Sequence, residues 1–238
     1  AALSRQLSIF FKYYIRSILK NGEYHIDGEK KLTERNATIV YSGGDDVFIV
    51  GAWNEVIELS IDLQEKFKKY TQGTLSISSG IGIYECTYPI GAIANETGEM
   101  EAESKRMPEK DSVTLMDDGE THLINELEIC DGTYRWEELY KSVLGEKYDV
   151  IQDFLGESDE RGMSFLYRML ELIRNQKEKI NFARFVYLLS RLEPDKEGEK
   201  YRKFSRKMYK WVQSEKDCRE LKTAINLYAY MHREKGAH

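Results

Sequence analysis

The chain has 238 residues, of which 41% are hydrophobic and 32% charged, and a net charge of −6, which is typical of a packed core under a well-solvated surface. It contains no run of about 18 apolar residues, so we predict no membrane-spanning helix and no membrane partner. Its three cysteines lie far apart without a CxxC pair, which argues against a zinc site or a disulfide framework and favours a cytoplasmic protein.

The first 118 residues alternate between helical and strand-like patterns. Apolar residues recur at three- and four-residue steps from Leu3 to Ile18, which predicts an amphipathic helix before a polar loop over 21–34. Two β-branched runs, 37–41 and 47–50, enclose a glycine-rich turn and predict a β-hairpin. The elements predicted after the hairpin are a helix over 53–70, a strand over 75–84, a helix over 90–105 and a strand over 112–116.

Helical spacing takes over near residue 134. The predicted helices of this part cover 136–155, 161–175, 182–192, 200–212 and 218–233. The predicted fold class is therefore α+β. It comprises helices packed on a sheet over 1–118, an acidic and irregular linker over 119–133, and an all-α domain over 134–238.

Charge is distributed unevenly between these parts. Residues 161–238 carry 19 Lys and Arg against 10 Asp and Glu, a net charge of +9, which leaves −15 for the rest of the chain. Such asymmetry indicates a nucleic acid or an acidic partner for the basic part. Within 200–222, cations alternate with aromatic residues, a pattern that can bind RNA through phosphates and stacked bases. We expect these aromatics in the core and these cations facing RNA or a neighbouring subunit. The cations are Lys203, Arg206, Lys207 and Lys210, and the aromatics are Tyr201, Phe204, Tyr209 and Trp211.

The turn between the two predicted hairpin strands carries the residues best suited to chemistry. Asp45 and Asp46 are adjacent carboxylates, and Mg²⁺ takes one or two carboxylates together with waters and substrate phosphates. Gly43 and Gly44 tolerate a positive φ and leave room for a triphosphate close to the main chain. A pair of divalent ions held there would support nucleotidyl transfer. The same four residues also form ordinary solvated turns, so that alternative stays open.

This turn and three further stretches resemble one protein family. The segment from Tyr41 to Phe48 is similar to the signature of the palm domain in the large subunit of type III CRISPR–Cas effector complexes. That palm is a ferredoxin-like nucleotidyl-cyclase domain related to GGDEF diguanylate cyclases and class III adenylyl cyclases. The stretches 3–11, 78–82 and 89–115 are similar to other helices and strands of the same palm. The resemblance is greatest to the III-A, or Csm, subtype and covers about residues 3–118.

The resemblance implies an activity and a set of site residues. A target RNA would trigger conversion of ATP into cyclic 3′–5′ oligoadenylates for antiviral defence, with two Mg²⁺ or Mn²⁺ ions as cofactors. The implied partners are ATP, guide RNA, target RNA and other effector subunits. A cation at position 105 would balance triphosphate charge, although a solvated lysine at a helix C-terminus is the alternative. The implied roles are catalytic metal ligand for Asp45 and Asp46, and nucleotide binding for Ser42, Gly43, Gly44 and Lys105.

Two parts of the family pattern are not recognisable in the sequence. The family's first palm strand carries a further acidic residue near the metals, and nothing before Leu3 supplies it. Full-length members also carry an HD-type nuclease domain that cuts single-stranded DNA, whereas the four histidines here are scattered without a His-Asp pair. We expect the chain to begin inside the palm and to be inactive or weakly active when isolated.

Two other functions remain compatible with the sequence. One is a different nucleotidyl cyclase that makes cyclic dinucleotides or mononucleotides, although such diguanylate cyclases usually have Glu and Phe where Asp46 and Val47 stand. The other is a non-catalytic scaffold subunit that binds RNA or protein through its basic helices. Incubation with each nucleotide separates these possibilities.

Overall fold

Two separate units make up the chain in the computed structural model, Ala1–Trp136 and Glu137–His238. The structure describes residues 2–29, 31–156, 160–174, 179–192 and 198–233. The first unit combines helices with strands and the second is helical in these ranges, which confirms the α+β fold class. None of the helices within the ranges is long and apolar enough to cross a lipid bilayer.

The first unit opens with one continuous helix over residues 2–20. It consists of α1 (Ala2–Ile9), a π-helical stretch (Phe10–Tyr14) and α2 (Ile15–Lys20). On the predicted apolar face, Phe10, Phe11, Ile15 and Ile18 are at most 6% exposed, whereas Tyr14 is 51% exposed. A π-helical stretch marks many functional sites, and this one faces the hairpin described next.

The hairpin and the elements after it follow the predicted order. Strand β3 is shorter at both ends than the predicted strand over 75–84, and the Tyr84 ring lies over Gly82 just after it. The elements are β1 (Ala37–Gly43), β2 (Asp46–Gly51), α3 (Trp53–Tyr70), β3 (Ser79–Ile81), α4 (Ile90–Ser104) and β4 (Ser112–Leu115).

The predicted irregular linker over 119–133 is wrong. This segment forms a second hairpin of β5 (Thr121–Ile124) and β6 (Leu127–Cys130), followed by β7 (Thr133–Arg135). Strand β7 pairs with β4, so it belongs to the first unit, and the boundary between the units follows Trp136. Burial explains why the segment folds, since Ile129, Tyr134 and Trp136 are at most 2% exposed.

The described strands of the first unit form three small sheets. β1 and β2 pair antiparallel with each other, and β5 and β6 do the same. The third sheet has the order β3-β4-β7, in which β3 and β4 are parallel and β4 and β7 antiparallel. Beneath the first hairpin lies a core of Phe10, Phe11, Leu59 and Phe67, against which Val47 and Ile49 of β2 pack, together with Ala37 of β1.

A buried ionic cluster fastens the loop between α2 and β1 to helix α3. The Arg35 side chain is 1% exposed and forms ion pairs with Glu58 and with Asp62, whose Oδ2 lies 2.9 Å from Nη2. The main-chain N–H groups of Tyr24 and Ile26 donate to Asp62 and Glu58 respectively, each at 2.9 Å. The cluster therefore satisfies loop backbone groups that would otherwise be buried without partners.

The second unit consists of helices. The helix that begins at Trp136, the last residue of the first unit, continues into the second unit and contains a π-helical stretch (Leu139–Tyr148). The buried ammonium of Lys147, 1% exposed, lies 2.8 Å from Asp217 and 2.5 Å from Glu220. The remaining helices are α5 (Trp136–Glu138), α6 (Asp149–Leu155), α7 (Glu160–Arg174), α8 (Lys179–Ser190), α9 (Glu199–Trp211) and α10 (Glu215–Arg233).

The expectations for the basic and aromatic residues of α9 are each confirmed only in part. Phe204 and Trp211 are buried in the core, Tyr201 is half-buried, and Tyr209 is 48% exposed. Lys203 and Lys207 are engaged in ion pairs within the unit, with Asp153 at 3.2 Å and Glu146 at 3.0 Å. Arg206 and Lys210 remain exposed.

Candidate metal and nucleotide site

The acidic turn, Gly43 to Asp46, closes the first hairpin with a two-residue loop. Gly43 pairs with Asp46, which leaves Gly44 and Asp45 at the tip. The φ of Gly44 is +73° and that of Asp45 is not positive, the pattern of a type II′ turn with glycine at its first central position. Both carboxylates are exposed, so they project from the end of a hairpin whose strands rest on the core.

Two local features shape the end of strand β1 that leads into this turn. Val40 is an extra residue between the pairs Ile39–Ile49 and Tyr41–Phe48, and such a β-bulge bends the strand. The phenol end of the exposed Tyr41 side chain lies over the main chain at Gly43, where a Cβ atom would displace it.

Ser42 connects the turn to the first helix. Its hydroxyl donates a hydrogen bond of 2.8 Å to the carbonyl oxygen of Phe11, within the π-helical stretch. The hydroxyl proton is thereby used inside the protein, and the oxygen keeps acceptor capacity only. Sequence reasoning singled out Ser42 but missed this partner, because a π-helical stretch leaves no clear signature in the sequence.

Lys105 lies within electrostatic reach of the acidic turn. Its Nζ is 2.5 Å from Oε1 of Glu101, and this hydrogen-bonded ion pair raises the pKa of the lysine. Desolvation lowers the pKa, while the charges of Glu101, Asp46 and Asp45 raise it. The structure thus brings Lys105, Asp45 and Asp46 into one neighbourhood, although they lie about 60 residues apart in the sequence. The partner Glu101, four residues earlier on α4, was recognisable from helical spacing but was not predicted.

The end of α4 that carries Lys105 is anchored to the sheet. At Gly80 in β3, a Cβ atom would collide with the carbonyl oxygen of Thr97, so helix and strand touch at main-chain distance. The hydroxyl of Ser112, the first residue of β4, donates 2.6 Å to the carbonyl oxygen of Ser104. These contacts give Lys105 a rigid support.

The acidic turn fits a divalent cation in part. Two adjacent, exposed carboxylates match the one or two that Mg²⁺ usually takes, with waters and phosphates completing its octahedron. In the described part of the chain, no group of three or more His, Cys, Asp or Glu side chains could hold a metal ion. Asp45 and Asp46 would therefore hold the ion jointly with a nucleotide rather than alone.

Comparison with known families accounts for both units. Residues 1–114 match the second palm domain of Cas10/Cmr2, and residues 152–234 match the second helical domain of the Cmr2 subunit of the CRISPR RNA silencing complex. A relative from Mycobacterium tuberculosis, a single-strand-specific deoxyribonuclease Cas10/Csm1 of subtype III-A, is 40% identical over 237 residues, which is 99% of this chain. The protein of the same name from Streptococcus thermophilus is 36% identical over 236 residues, or 97% of this chain.

The chain belongs to the Cas10/Csm1 family. It spans 28% of the length of each of these Cas10/Csm1 relatives. Among solved structures, a Csm1–Csm4 cassette in complex with pppApApA superposes with a TM-score of 0.69 at 25% identity, covering 95% of this chain and 33% of that one. A Csm1–Csm4 cassette in complex with AMPPNP gives a TM-score of 0.62 at 27% identity, covering 93% and 32%. The Csm1 proteins of these structures thus share the fold of this chain.

Proposed function

We propose that this chain is the part of a Cas10/Csm1 protein that joins ATP molecules into cyclic oligoadenylates when a target RNA is bound. The observation that carries the proposal is the acidic turn, two exposed carboxylates on a rigid hairpin with Lys105 in electrostatic reach. The complexes of related Csm1–Csm4 cassettes with pppApApA and AMPPNP support an adenine nucleotide as the substrate.

In this proposal each site residue contributes either to metal binding, to phosphate binding or to support of the hairpin. Asp45 and Asp46 supply oxygen ligands, and Gly43 and Gly44 let phosphates approach the main chain. Two divalent ions, when bound, would lower the pKa of the attacking ribose hydroxyl and neutralise the leaving pyrophosphate. Lys105 would exchange its partner Glu101 for a phosphate, and Ser42 would hold the strand in place through Phe11.

The substrate experiment separates this function from its alternatives. The complete protein that carries this sequence, assembled with its guide RNA and partner subunits, is incubated with Mg²⁺ or Mn²⁺, target RNA and one nucleotide triphosphate at a time. Oligoadenylates from ATP alone are expected. Cyclic products from GTP would identify a different nucleotidyl cyclase, and RNA binding without any product would identify a scaffold subunit.

Replacing Lys105 by alanine is expected to raise the KM for ATP by about tenfold, because a phosphate then loses one charged partner worth about 1.4 kcal/mol or more. Replacing Glu101 by glutamine serves as the matched control. It frees the ammonium without removing it, so the KM should stay the same or fall. A KM raised equally by both changes would show that the ion pair matters only for the helix, and Lys105 would lose its proposed role.

Residues 1–238 expressed alone are expected to make at least about 100-fold less oligoadenylate than the complete protein. Among the described residues no third acidic side chain joins Asp45 and Asp46 in a metal-binding group. Stabilisation of the transition-state charge by a complete metal site contributes several kcal/mol to lowering the activation barrier. Circular dichroism checks that the isolated chain is folded. Synthesis at the rate of the complete protein would contradict the prediction.

A further inference from the structure

The outer face of the first helix carries positive charge that nothing in the described structure neutralises. Arg5, Lys12, Arg16 and Lys20 are all exposed on residues 2–20, and the first 22 residues contain no Asp or Glu. None of these four cations has an ion-pair partner in the described part of the chain. We call these four residues, together with Tyr13, the helix-1 stripe.

The helix-1 stripe differs from the rest of its unit. Residues 1–136 contain 14 Lys and Arg against 23 Asp and Glu, a net charge of −9, so a row of cations without acids stands out. Elsewhere in the unit most cations are engaged, such as Lys66 with Glu23, Arg106 with Glu103 and Arg135 with Glu109. A merely solvated helix usually intersperses both signs of charge.

Helical geometry places the stripe on one side. Steps of seven, four and four residues from Arg5 to Lys20 keep the cations on a single face, which lies opposite the buried Phe10, Phe11 and Ile18. At about 1.5 Å per residue, the row extends about 22 Å. It therefore offers four positive charges over the length of several nucleotides.

An exposed aromatic ring lies on the same face. Tyr13 is 69% exposed, and no ring contact engages it among the described residues. Proteins that bind single-stranded nucleic acids often present an exposed aromatic ring between cations. The bases stack on the ring and the phosphates pair with the cations. A duplex would keep its bases stacked internally and would leave the ring without a role.

We propose that the helix-1 stripe binds a single-stranded nucleic acid, with its phosphates along the four cations and one base stacked on Tyr13. The carbonyl of Phe11, in the same helix, accepts the hydrogen bond from Ser42. A strand on this face would therefore lie against the helix that supports the acidic turn. This binding requires neither ATP nor metal. A test of it is therefore independent of a test of the proposed oligoadenylate synthesis.

The test measures binding of a fluorescent 20-nucleotide single-stranded RNA to the complete protein, purified without guide RNA, over a range of salt concentrations and without nucleotide. One variant replaces Arg5, Lys12, Arg16 and Lys20 by glutamine. Its matched control replaces four exposed cations of other elements, Lys31, Lys69, Lys110 and Lys141, so the change in net charge is identical.

The stripe variant is expected to bind at least tenfold more weakly, and its slope of log K against log salt should shrink by about 3, at about 0.7 per phosphate contact for single strands. The control should leave the slope unchanged. Tyr13→Ala should weaken binding about tenfold without altering the slope, because it removes stacking and no charge.

Three results would overturn the proposal. Equal losses in the stripe variant and the control would indicate a non-specific effect of net charge. An unchanged slope in the stripe variant would show that phosphates do not touch these cations. RNA binding unchanged while binding to anionic phosphatidylserine vesicles is lost would make the stripe a membrane-contact face, since basic amphipathic helices also serve that purpose.

Discussion

Replacing Asp45 and Asp46 together by asparagine is expected to reduce oligoadenylate synthesis by at least about 100-fold, or about 2.7 kcal/mol of transition-state stabilisation. Asparagine keeps the shape of each side chain and is well tolerated in turns, so the hairpin should survive. What disappears is the negative charge that would hold divalent cations beside the triphosphate. The measurement is the rate of oligoadenylate formation from ATP by the complete, RNA-activated protein.

The chain offers a closely matched control for this change. Asp117 and Asp118 are also adjacent, exposed and located just before a hairpin, where Asp117 accepts a hydrogen bond of 2.8 Å from the N–H of Gly119 and Asp118 one of 3.2 Å from that of Glu120. Their replacement by asparagine removes the same charge and keeps these acceptors. Synthesis should remain within about twofold of the unaltered protein. A similar loss in both variants would mean that general acidity, rather than the acidic turn, supports the reaction.

Replacing Arg35 by methionine is expected to lower the free energy of unfolding of the first unit by about 3–5 kcal/mol, the usual penalty for removing one partner of a buried ion pair. Glu58 and Asp62 would then lie four residues apart on α3, at 7% and 4% side-chain exposure, without the guanidinium and with the His25 imidazole 3.6 Å from Glu58. The matched control is Arg135→Met. Its partner Glu109 is 73% exposed, so that change should alter stability by no more than about 0.5 kcal/mol.

The effect of the Arg35 change should depend on pH in a specific direction. Burial raises the pKa of Glu58 above its ordinary value of 4.5, while the N–H of Ile26 and the charge of Arg35 lower it. Without Arg35 the folded-state pKa rises further, so the folded variant retains a proton that the unfolded chain releases. Its stability therefore falls as the pH rises from about 4.5 through the folded-state pKa. We expect less destabilisation at pH 5 than at pH 8.

Hydrogen exchange locates this effect in the complete protein. Peptides covering 21–34 should exchange faster in Arg35→Met, because their amides donate to Glu58 and Asp62. Peptides from the second unit should not change. Unchanged exchange over 21–34 would contradict the assignment of Arg35 as the residue that fastens this loop to α3.

Long, periodic elements were predictable from the sequence. Helix α3 has the predicted bounds, Trp53–Tyr70, because its apolar residues repeat with helical spacing over 18 residues. The hairpin of β1 and β2 was predictable for a different reason, since β-branched runs flank a Gly-Gly turn. In both cases local preference and tertiary packing agree.

The second hairpin escaped prediction because its local signals are weak. Its turn places Asn125 and Glu126 at φ values of 49° and 68°, a type I′ arrangement in which glycine usually takes the second position. Its strands are only four residues long and poorly covered, with Leu123 74% exposed. Pairing of β7 with β4 and burial of Tyr134 hold the segment in place, and such long-range contacts leave no local pattern.

The residues of the candidate site could be named from the sequence, whereas the contacts that support them could not. Residue type predicts Asp45 and Asp46 as metal ligands and the family resemblance adds Lys105, and these roles stay predictions. The carbonyl of Phe11 as the partner of Ser42, and the close contact of Gly80 with α4, depend on how distant segments pack. The buried Arg35 cluster likewise joins residues up to 38 positions apart, through charges that usually lie on surfaces.

Anomalous X-ray scattering from crystals of the complete protein with Mn²⁺ and a non-hydrolysable ATP analogue tests most directly whether the acidic turn holds divalent cations against a triphosphate. Anomalous manganese peaks are expected at coordinating distance both from the carboxylates of Asp45 and Asp46 and from phosphate oxygens. These peaks should be absent when both residues are replaced by asparagine. Manganese bound with the nucleotide elsewhere, or equally well in the asparagine variant, would contradict the proposal.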